Sequence, residues 1–575
     1  MCGISAIITK NKNYHDCIAL MTERAKHRGP DAFEYFQDRH ISFGHNRLKI
    51  IDLSDAANQP MEYDGCWIVF NGEIYNYKLL REKLVAKGHT FKTESDTEVL
   101  LHLYRDSFTI VEMLNQLRGM FAFVIYDERN RDVIAARDRF GIKPIYYTLL
   151  PGDGCAFASE IKQFYALPDW YPQINEFMKN EFLLSGLIDH VSNWTMFRDV
   201  FLIPPGHYVK LSPFGFTNVY PWYNLKEAIA NSPTTSTFLT VQWLLKNSVE
   251  LHLQSDVPVG ACLSGGIDST SIVCMINKIK KNKLFTVSAR SENEFDEGKW
   301  INIVENYCDN VERHDVYPKA SDLFYDLPKL VYHQDSPFPT TSMYAQWKVY
   351  EEAKKHVKVM LSGQGADELF AGYHMFFGAR FASLIRRGKF LTLLKEARAA
   401  NKIPGYDQSF VMKCAANALK NYPSVFDYSY SQVTRTSLPA LLHWEDRNSM
   451  AHSIESRVPF LDSTLVEYIM AIPEEKKISD GTTKVILREA MRNLIPEEIV
   501  DRRDKIGFQT PESYWFEQNK DKFIAKYVKA MPMIPQSMRS RCGDICTGIA
   551  PYTPELWRAI TFAEFCEVFR VGPHD

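Results

Sequence analysis

The sequence predicts two domains of different class: an α+β domain of layered antiparallel sheets with helices, then an α/β domain on a doubly wound parallel sheet. Three observations carry this. At 575 residues the chain exceeds one ordinary core and calls for roughly two to four. Its first 210 or so residues are short apolar or alternating runs closed by Gly, Asp and Asn. Later, helical stretches alternate with short apolar runs, the pattern that places parallel strands side by side with helices packed on the sheet.

In the first domain, residues 1–210, the expected strands are "GISAIIT", "HISFGHNRL", "CWIVFNGEI", "GMFAFVIYD", "RDVIAARD", "PIYYTLL" and "CAFASE". Two stretches, "NYKLLREKLVAKG" and "TEVLLHLYRDS", space their apolar residues by three and four and predict helices. Strand signals end near "LIPPGHYVKLSPFGF", and residues 211–236, which include "NSPTTST", read as a linker. The second domain, residues 237–575, opens with the helical "FLTVQWLLKNSVELHLQ", and "VGACLS", "LFTVSA" and "VKVMLSG" are its buried strands. In such sheets, sites form at the carboxyl ends of strands, where Gly-rich turns lead into helices.

Composition narrows the function. Apolar residues make up 45% and charged residues 24%, and 67 basic against 70 acidic side chains give −3 with no long run of either sign. That balance offers no footprint for nucleic acid or membrane and favours small-molecule chemistry. No run reaches the roughly 20 apolar residues that span a bilayer, and no signal-peptide pattern opens the chain, so the cytoplasm is the expected compartment. Eleven cysteines without paired spacing read as reduced thiols; Cys542 and Cys546 share a helical face but lack the second pair of a zinc site.

Two constellations carry chemistry. Cys2 stands directly behind the initiator methionine. With Met1 removed, one residue would hold a thiol and an α-amine that titrates near pH ~8 and can take the thiol's proton. Asn71 and Gly72, after an apolar strand, would donate a side-chain amide and a backbone N–H to an oxyanion. Arg47 could clamp a carboxylate and Asp96 hold an ammonium, which together fit an α-amino acid. Each also has a structural use: "NGE" as a turn, Arg47 in an ion pair, Asp96 as a helix cap.

The second constellation is "DVPVGACLSGGIDSTSIV": a strand, then Ser264, Gly265 and Gly266, then a helix bearing Asp268, Ser269 and Thr270. Glycines let backbone N–H groups approach phosphate, and the helix N-terminus adds a favourable dipole. The spacing G-x-x-x-x-G-K-[ST] is absent, which argues against a loop wrapped around a transferred γ-phosphate. In "VMLSGQGADELFAGY", Asp367 could share Mg²⁺ with Asp268, since oxygen-only ligands suit that ion, whereas capping alone would also account for Asp367 and Glu368. "TTKVILREAM" puts Lys484 and Arg488 on one helical face.

The first domain resembles class II glutamine amidotransferases, of the N-terminal nucleophile sandwich type. "MCGI", "HRGPDA", "GHNRLKIIDLS", "FNGEIYNY", "ESDTEVLLHLY", "LRGMFAFVIYD" and "ARDRFGIKPIYY" follow in that family's order, closest to its asparagine-synthetase branch. The resemblance implies that Cys2 attacks the side-chain amide of glutamine, releases ammonia and leaves a glutamyl thioester for water to hydrolyse. Arg47 would hold the glutamine carboxylate, and Asp96 with Glu73 its α-amine. "SGGIDS" resembles the loop of ATP pyrophosphatases, which cleave ATP between the α and β phosphates and adenylate a substrate.

"DRRDKIGFQTP" and "MAHSIESRVPFLD" match C-terminal motifs of the same branch, so the resemblance covers about residues 1–520. It implies ATP as substrate, Mg²⁺ at Asp268 and Asp367, Lys484 on the ATP phosphates, and Leu263, Val287, Ser362 and Gly363 around the adenosine. The partners implied are glutamine and a carboxylate acceptor, with aspartate first and a sugar acid, peptide or natural-product carboxylate as the alternative; a homodimer is the assembly it allows. A shielded passage for ammonia between the two sites is implied as well.

Phosphoribosyl- and sugar-linked amidotransferases share only the cysteine half, GMP and NAD synthetases only the phosphate loop, and β-lactam-forming relatives typically lose the cysteine. A non-catalytic scaffold would not need these constellations. The acceptor side departs from the asparagine-forming pattern in two places. Gln364 stands where that branch has Glu, and "HQDSPFPTTSMYAQW" lacks its Arg-containing segment.

Overall fold

The computed structural model describes residues 2–572 apart from 153, 189–192, 213–214, 233–236, 292–295, 405 and 505–509. The N-terminal part is two six-stranded sheets. In one, Gly3–Ile8 lies antiparallel between Ile41–Arg47 and Gly154–Ala158. In the other, Cys66–Ile74 pairs with Gly119–Asp127 along its whole length, Cys66 opposite Asp127 and Ile74 opposite Gly119. Alternate residues of Gly3–Ile8 enter different cores: Ile4 and Ala6 meet Val69, Ala122 and Val124 between the sheets, whereas Ile7 packs outward with Tyr14 and Phe164. A strand buried on both faces reads as a nearly continuous apolar run, as "GISAII" does apart from Ser5, which is itself buried and accepts from Gln163 Nε2 at 2.8 Å.

The expected linker is more structured than its composition suggests. Strand Gly215–Pro221 pairs with His207–Ser212 and extends the second sheet, and helix Leu225–Ala230 follows before the helix that starts at Phe238. Asn218 and Pro221 read as breakers, yet Trp222 is buried against Phe121 and Trp222 Nε1 donates to the Arg137 carbonyl. Tertiary burial overrides local propensity there. Residues 233–236 of "NSPTTST" lie outside the described residues.

The C-terminal part is built on five parallel strands, in spatial order Val311–Val316, Leu284–Ala289, Val259–Cys262, Val359–Leu361 and Glu455–Arg457. In chain order this is 3-2-1-4-5, so the winding reverses between Val259–Cys262 and Val359–Leu361. A crevice opens where neighbouring crossovers leave in opposite directions, and it lies past the carboxyl ends of those two strands. The two Gly-rich turns follow these strands and no others. Among the described residues, no helix is long and apolar enough to cross a membrane.

The two parts share cores and buried charge. The last long helix, Pro554–Phe569, packs Phe565 and Phe569 against Phe197 of the N-terminal part. Cys542 and Cys546 belong to the same apolar cluster. Arg28 donates through Nη1 to Glu160 and Asp446 at 2.9 Å each, and Lys143 lies 3.7 Å from Asp446. Arg447 bridges Glu160 and Asp335 at 3.0 and 3.3 Å. Removing one partner of a buried pair strands the other charge. Asp446→Ala is therefore expected to cost about 3–5 kcal/mol, read as an earlier urea unfolding transition; an unchanged midpoint would refute the assignment of Asp446 as counter-ion to Arg28 and Lys143.

Candidate functional site

Cys2 is buried just ahead of the first strand, with its backbone N–H donating to Asn71 Oδ1 at 3.1 Å and its carbonyl accepting from Arg28 Nε at 3.0 Å. Burial pushes the Cys2 thiol up, against the opposing pull of the Leu48 amide and the Arg47 guanidinium. A thiol so placed needs a base to ionise. Asn71 Nδ2 is buried without a hydrogen-bond partner, so the amide holds Cys2 with one end and offers a free donor with the other. Gly72 is fixed by close packing: a Cβ there would lie 2.1 Å from the Met120 carbonyl oxygen across the sheet. Met1, whose removal would free an α-amine, lies outside the described residues.

Cys2, Arg47, Gly72, Glu73 and Asp96 line one small cavity of about 30 Å³. Asp96 opens helix Asp96–Asp106 and accepts from the Ile74 amide at 2.9 Å; burial raises its carboxyl to about 6. Glu73 is pushed well above the ordinary carboxylate range by burial and by the Glu455 charge, and its Oε2 has no hydrogen-bond partner. Arg457 of the parallel sheet reaches both, 3.5 Å from Glu73 and 2.5 Å from Glu455. Arg47 faces the cavity, but its Nη1 donates to Ser54 O at 2.6 Å and Asn58 Oδ1 at 2.7 Å, and its Nη2 to Asp52 O. Those terminal donors tie the 51–58 loop, which the sequence did not foretell.

The second cavity, about 610 Å³, opens at the reversal of the parallel sheet. Leu263, Ser264, Gly266, Asp268, Ser269, Val287, Ser362, Gly363, Gln364, Asp367 and Lys484 all line it. The first turn needs its glycine: Gly265 has φ +70°, and a Cβ there would lie 2.6 Å from Trp300 Cβ. Ser269 Oγ closes the turn by accepting from the Ser264 amide at 3.1 Å, and helix Ile267–Ile279 begins beneath it. The Leu263 amide donates to the Val287 carbonyl at 3.1 Å and the Ser362 amide to the Arg457 carbonyl at 2.9 Å, which continues the sheet to the cavity edge.

Lys484 Nζ lies 2.5 Å from Asp268 and 2.7 Å from Asp367, so residues from three separate segments converge on one point. Burial alone would lower the Lys484 ammonium; the two carboxylates more than reverse this and hold it above its ordinary value. Asp268 Oδ1 is buried without a hydrogen-bond partner. A Cβ at Gly372 would lie 1.9 Å from Asp367 Oδ1, so glycine leaves room for that carboxylate. Glu368 turns away from the cavity, accepting from Tyr373 and Ser437 hydroxyls at 2.7 Å each. Arg488 also lines the cavity and donates to the Thr483 carbonyl at 2.8 Å and the Val500 carbonyl at 2.5 Å, so these contacts are backbone ties and not an ion pair.

The glutamine amidotransferase domain model matches residues 1–223 and the asparagine synthase model residues 240–538. The chain belongs to the asparagine synthase family. Asparagine synthetase [glutamine-hydrolyzing] 1 of Bacillus subtilis is 32% identical, covering 98% of this chain and 96% of that protein. Asparagine synthetase [glutamine-hydrolyzing] 3 of the same organism is 31% identical over 88% of this chain and 86% of its own length. Amidase chry2 of Gibberella zeae is 28% identical over 90% of each. The chain is thus an asparagine synthase-like glutamine amidotransferase and ligase, and the family implies glutamine and ATP as substrates.

Four residues of the two sites escaped the sequence reading. Arg502 stacks over Trp300 and donates to the Gly265 carbonyl at 3.2 Å; Arg457 and Glu455 back the glutamine-side cavity; Glu445 lines the larger one. Arg502 and the Glu455–Arg457 pair stand inside the quoted C-terminal motifs, which was the available signal. Residues 505–509 of "DRRDKIGFQTP" lie outside the described residues.

Proposed function

We propose that this protein uses glutamine and ATP to amidate a carboxylate through an acyl-adenylate, with aspartate as acceptor and asparagine, AMP, pyrophosphate and glutamate as products. The observation that carries the reading is the convergence of Asp268, Asp367 and Lys484 at the sheet reversal, in a chain that also buries Cys2 against Asn71. The glutaminase chemistry is assigned to residues 1–210 and the synthetase chemistry to 237–575, with 211–236 between them.

Cys2 Sγ attacks the glutamine amide carbon after its proton passes to the α-amine, and Asn71 Nδ2 with the Gly72 N–H receives the oxyanion. Asp96 and Glu73 hold the glutamine α-amine; Arg47 orders the cavity wall and faces the carboxylate. The intermediate collapses with cleavage of the C–N bond, the α-amine gives its proton to the departing ammonia, and water then hydrolyses the glutamyl thioester, releasing glutamate and restoring the thiol. In the larger cavity, Ser264, Gly265, Gly266 and Ser269 bind the departing pyrophosphate at the helix N-terminus, and Leu263, Val287, Ser362 and Gly363 hold the adenosine. Asp268 and Asp367 form an oxygen-only pair that fits Mg²⁺, which when bound would offset the charge of the phosphates. Lys484 adds a fixed positive charge where charge develops during adenylation.

Asp96 gives this reading a pH dependence. Its carboxyl, raised to about 6 by burial, must be ionised to hold an ammonium, so the competent form is complete above that pH and lost below it. The value of kcat/KM for glutamine is expected to fall about tenfold per pH unit below about 6, because this ratio follows the free enzyme's ionisations. Asp96→Asn should abolish that limb. A profile flat from pH 7 to 5 for wild type would refute the role.

One observation favours a larger acceptor. Beyond the phosphate end, the cavity wall is formed by Met343, Gln346, Gln364, Leu441 and Trp444, with the Glu445 carboxylate between the two glutamines, and the amidase-named relative shares 90% coverage. Pyrophosphate release with aspartate, uronic acids and peptide carboxylates decides between the two. Aspartate turnover with no better acid keeps the first reading; efficient turnover of another acid and none of aspartate replaces it.

A further inference from the structure

Gln364 carries an amide, which cannot take the proton that ammonia sheds in forming the product, so another group must. Glu445 stands beside it. It lies on helix Leu438–Ala451, is 3% exposed, and lines the larger cavity. Its Oε1 accepts from the Tyr350 hydroxyl and from Ser456 Oγ at 2.6 Å; its Oε2 accepts from Gln346 Nε2 and, at 3.4 Å, from Gln364 Nε2. These four donors are neutral. A carboxylate buried among hydroxyls and amides stays an acceptor, whereas one locked to a lysine or arginine would be spent on it.

The longest of the four contacts is the one to Gln364, on the cavity side. A small N–H donor entering between Gln364 and Oε2 can take that lone pair without unmaking the other three. The approach also fits: Ser456, which holds Oε1, sits between Glu455 and Arg457 in the edge strand whose outer face backs the glutamine-side cavity. Alternation along that strand turns Ser456 toward one site and its neighbours toward the other.

We propose that Glu445 is the catalytic base of the amide-forming step, with Gln364 as its hydrogen-bonding neighbour; this rests on the acyl-adenylate reading above. The ammonia lone pair forms the C–N bond at the acyl carbon, and one N–H bond breaks as its proton passes to Glu445 Oε2. The tetrahedral intermediate collapses, the acyl C–O bond breaks, and its electron pair leaves on the AMP phosphate. The proton on Glu445 returns to solvent as the amide departs.

The test uses the full chain, Glu445→Gln, and the acid from the acceptor panel that gives the fastest wild-type ATP–pyrophosphate exchange. Exchange and glutaminase activity report adenylation and folding; amide formation from ammonia is expected to fall at least about 100-fold. Hydroxylamine, which needs less help losing its proton, should lose less than ammonia does. Adding Gln364→Glu to Glu445→Gln moves the carboxylate across the same contact and should restore part of the ammonia rate. Unimpaired amide formation in Glu445→Gln overturns the assignment, as does equal loss of exchange, hydroxylamine and ammonia reactions with no recovery in the double variant. Absence of exchange with every acid in wild type overturns the ligase reading itself.

Discussion

Cys2→Ala is expected to reduce glutamine-supported amide synthesis to background while ammonia-supported synthesis stays close to wild type. Cys2 carries the one thiol among the described residues that line the small cavity, held through the Cys2 amide by Asn71 and through its carbonyl by Arg28. Without it no thioester forms, and nothing else there can open an amide bond at neutral pH. Cys2 does not line the larger cavity, so on the proposed mechanism added ammonia reaches the acyl-adenylate without it. Mass spectrometry of the active protein should show Met1 missing; fully glutamine-active protein that retains Met1 would rule out the α-amine as base. Parallel loss of the ammonia reaction would mean that Cys2 supports the fold and not one half-reaction.

Asp268→Asn and Asp367→Asn should each slow adenylation by at least about 100-fold, since losing one strong electrostatic contact to a transition state costs about 3 kcal/mol. Both carboxylates reach Lys484, from the helix after the first turn and from the second turn. Either amide removes half of the charge that keeps the buried ammonium above its ordinary value, and one of two oxygen ligands suited to Mg²⁺. Glutamine hydrolysis should persist, because neither residue borders the small cavity. Near-normal pyrophosphate release in either variant would overturn the assignment.

What could be read in advance follows a physical divide. Cys2, Asn71, Asp96, Ser264, Asp268 and Asp367 stand at strand ends, turns and helix starts, where a polar residue among apolar runs is conspicuous and local. Glu445 and Glu455–Arg457 were illegible for the opposite reason. Nothing local in "HWEDRNS" or "ESR" signals burial, yet Glu455 and Arg457 are fully buried: they pair with each other, and Arg457 also reaches Glu73 and the His252 and Gln254 carbonyls from distant chain. The Arg28–Asp446 contact spans 418 positions of sequence. The strand Val311–Val316 was missed likewise, since "VERHDV" alternates without a buried face; every residue is half-buried at the sheet edge. The strand and helix within residues 211–236 were not legible either, since the burial of the neighbouring Trp222 depends on the sheet beside it.

The helix Leu438–Ala451 places Glu445 and Asp446 next to each other. Successive residues on an α-helix diverge by about 100°, so these two carboxylates leave the helix in different directions. Glu445 looks into the synthetase cavity, while Asp446 is clasped by Arg28 and Lys143 of the other part. The helix is therefore a shared wall with a charged stud on either side. Asp446 does not border the small cavity itself but reaches Cys2 through Arg28, which also donates to the Cys2 carbonyl, so a tilt of this one helix displaces a contact of Cys2. By thermodynamic reciprocity, any factor by which a ligand in the larger cavity changes glutamine affinity is the factor by which glutamine changes the affinity for that ligand.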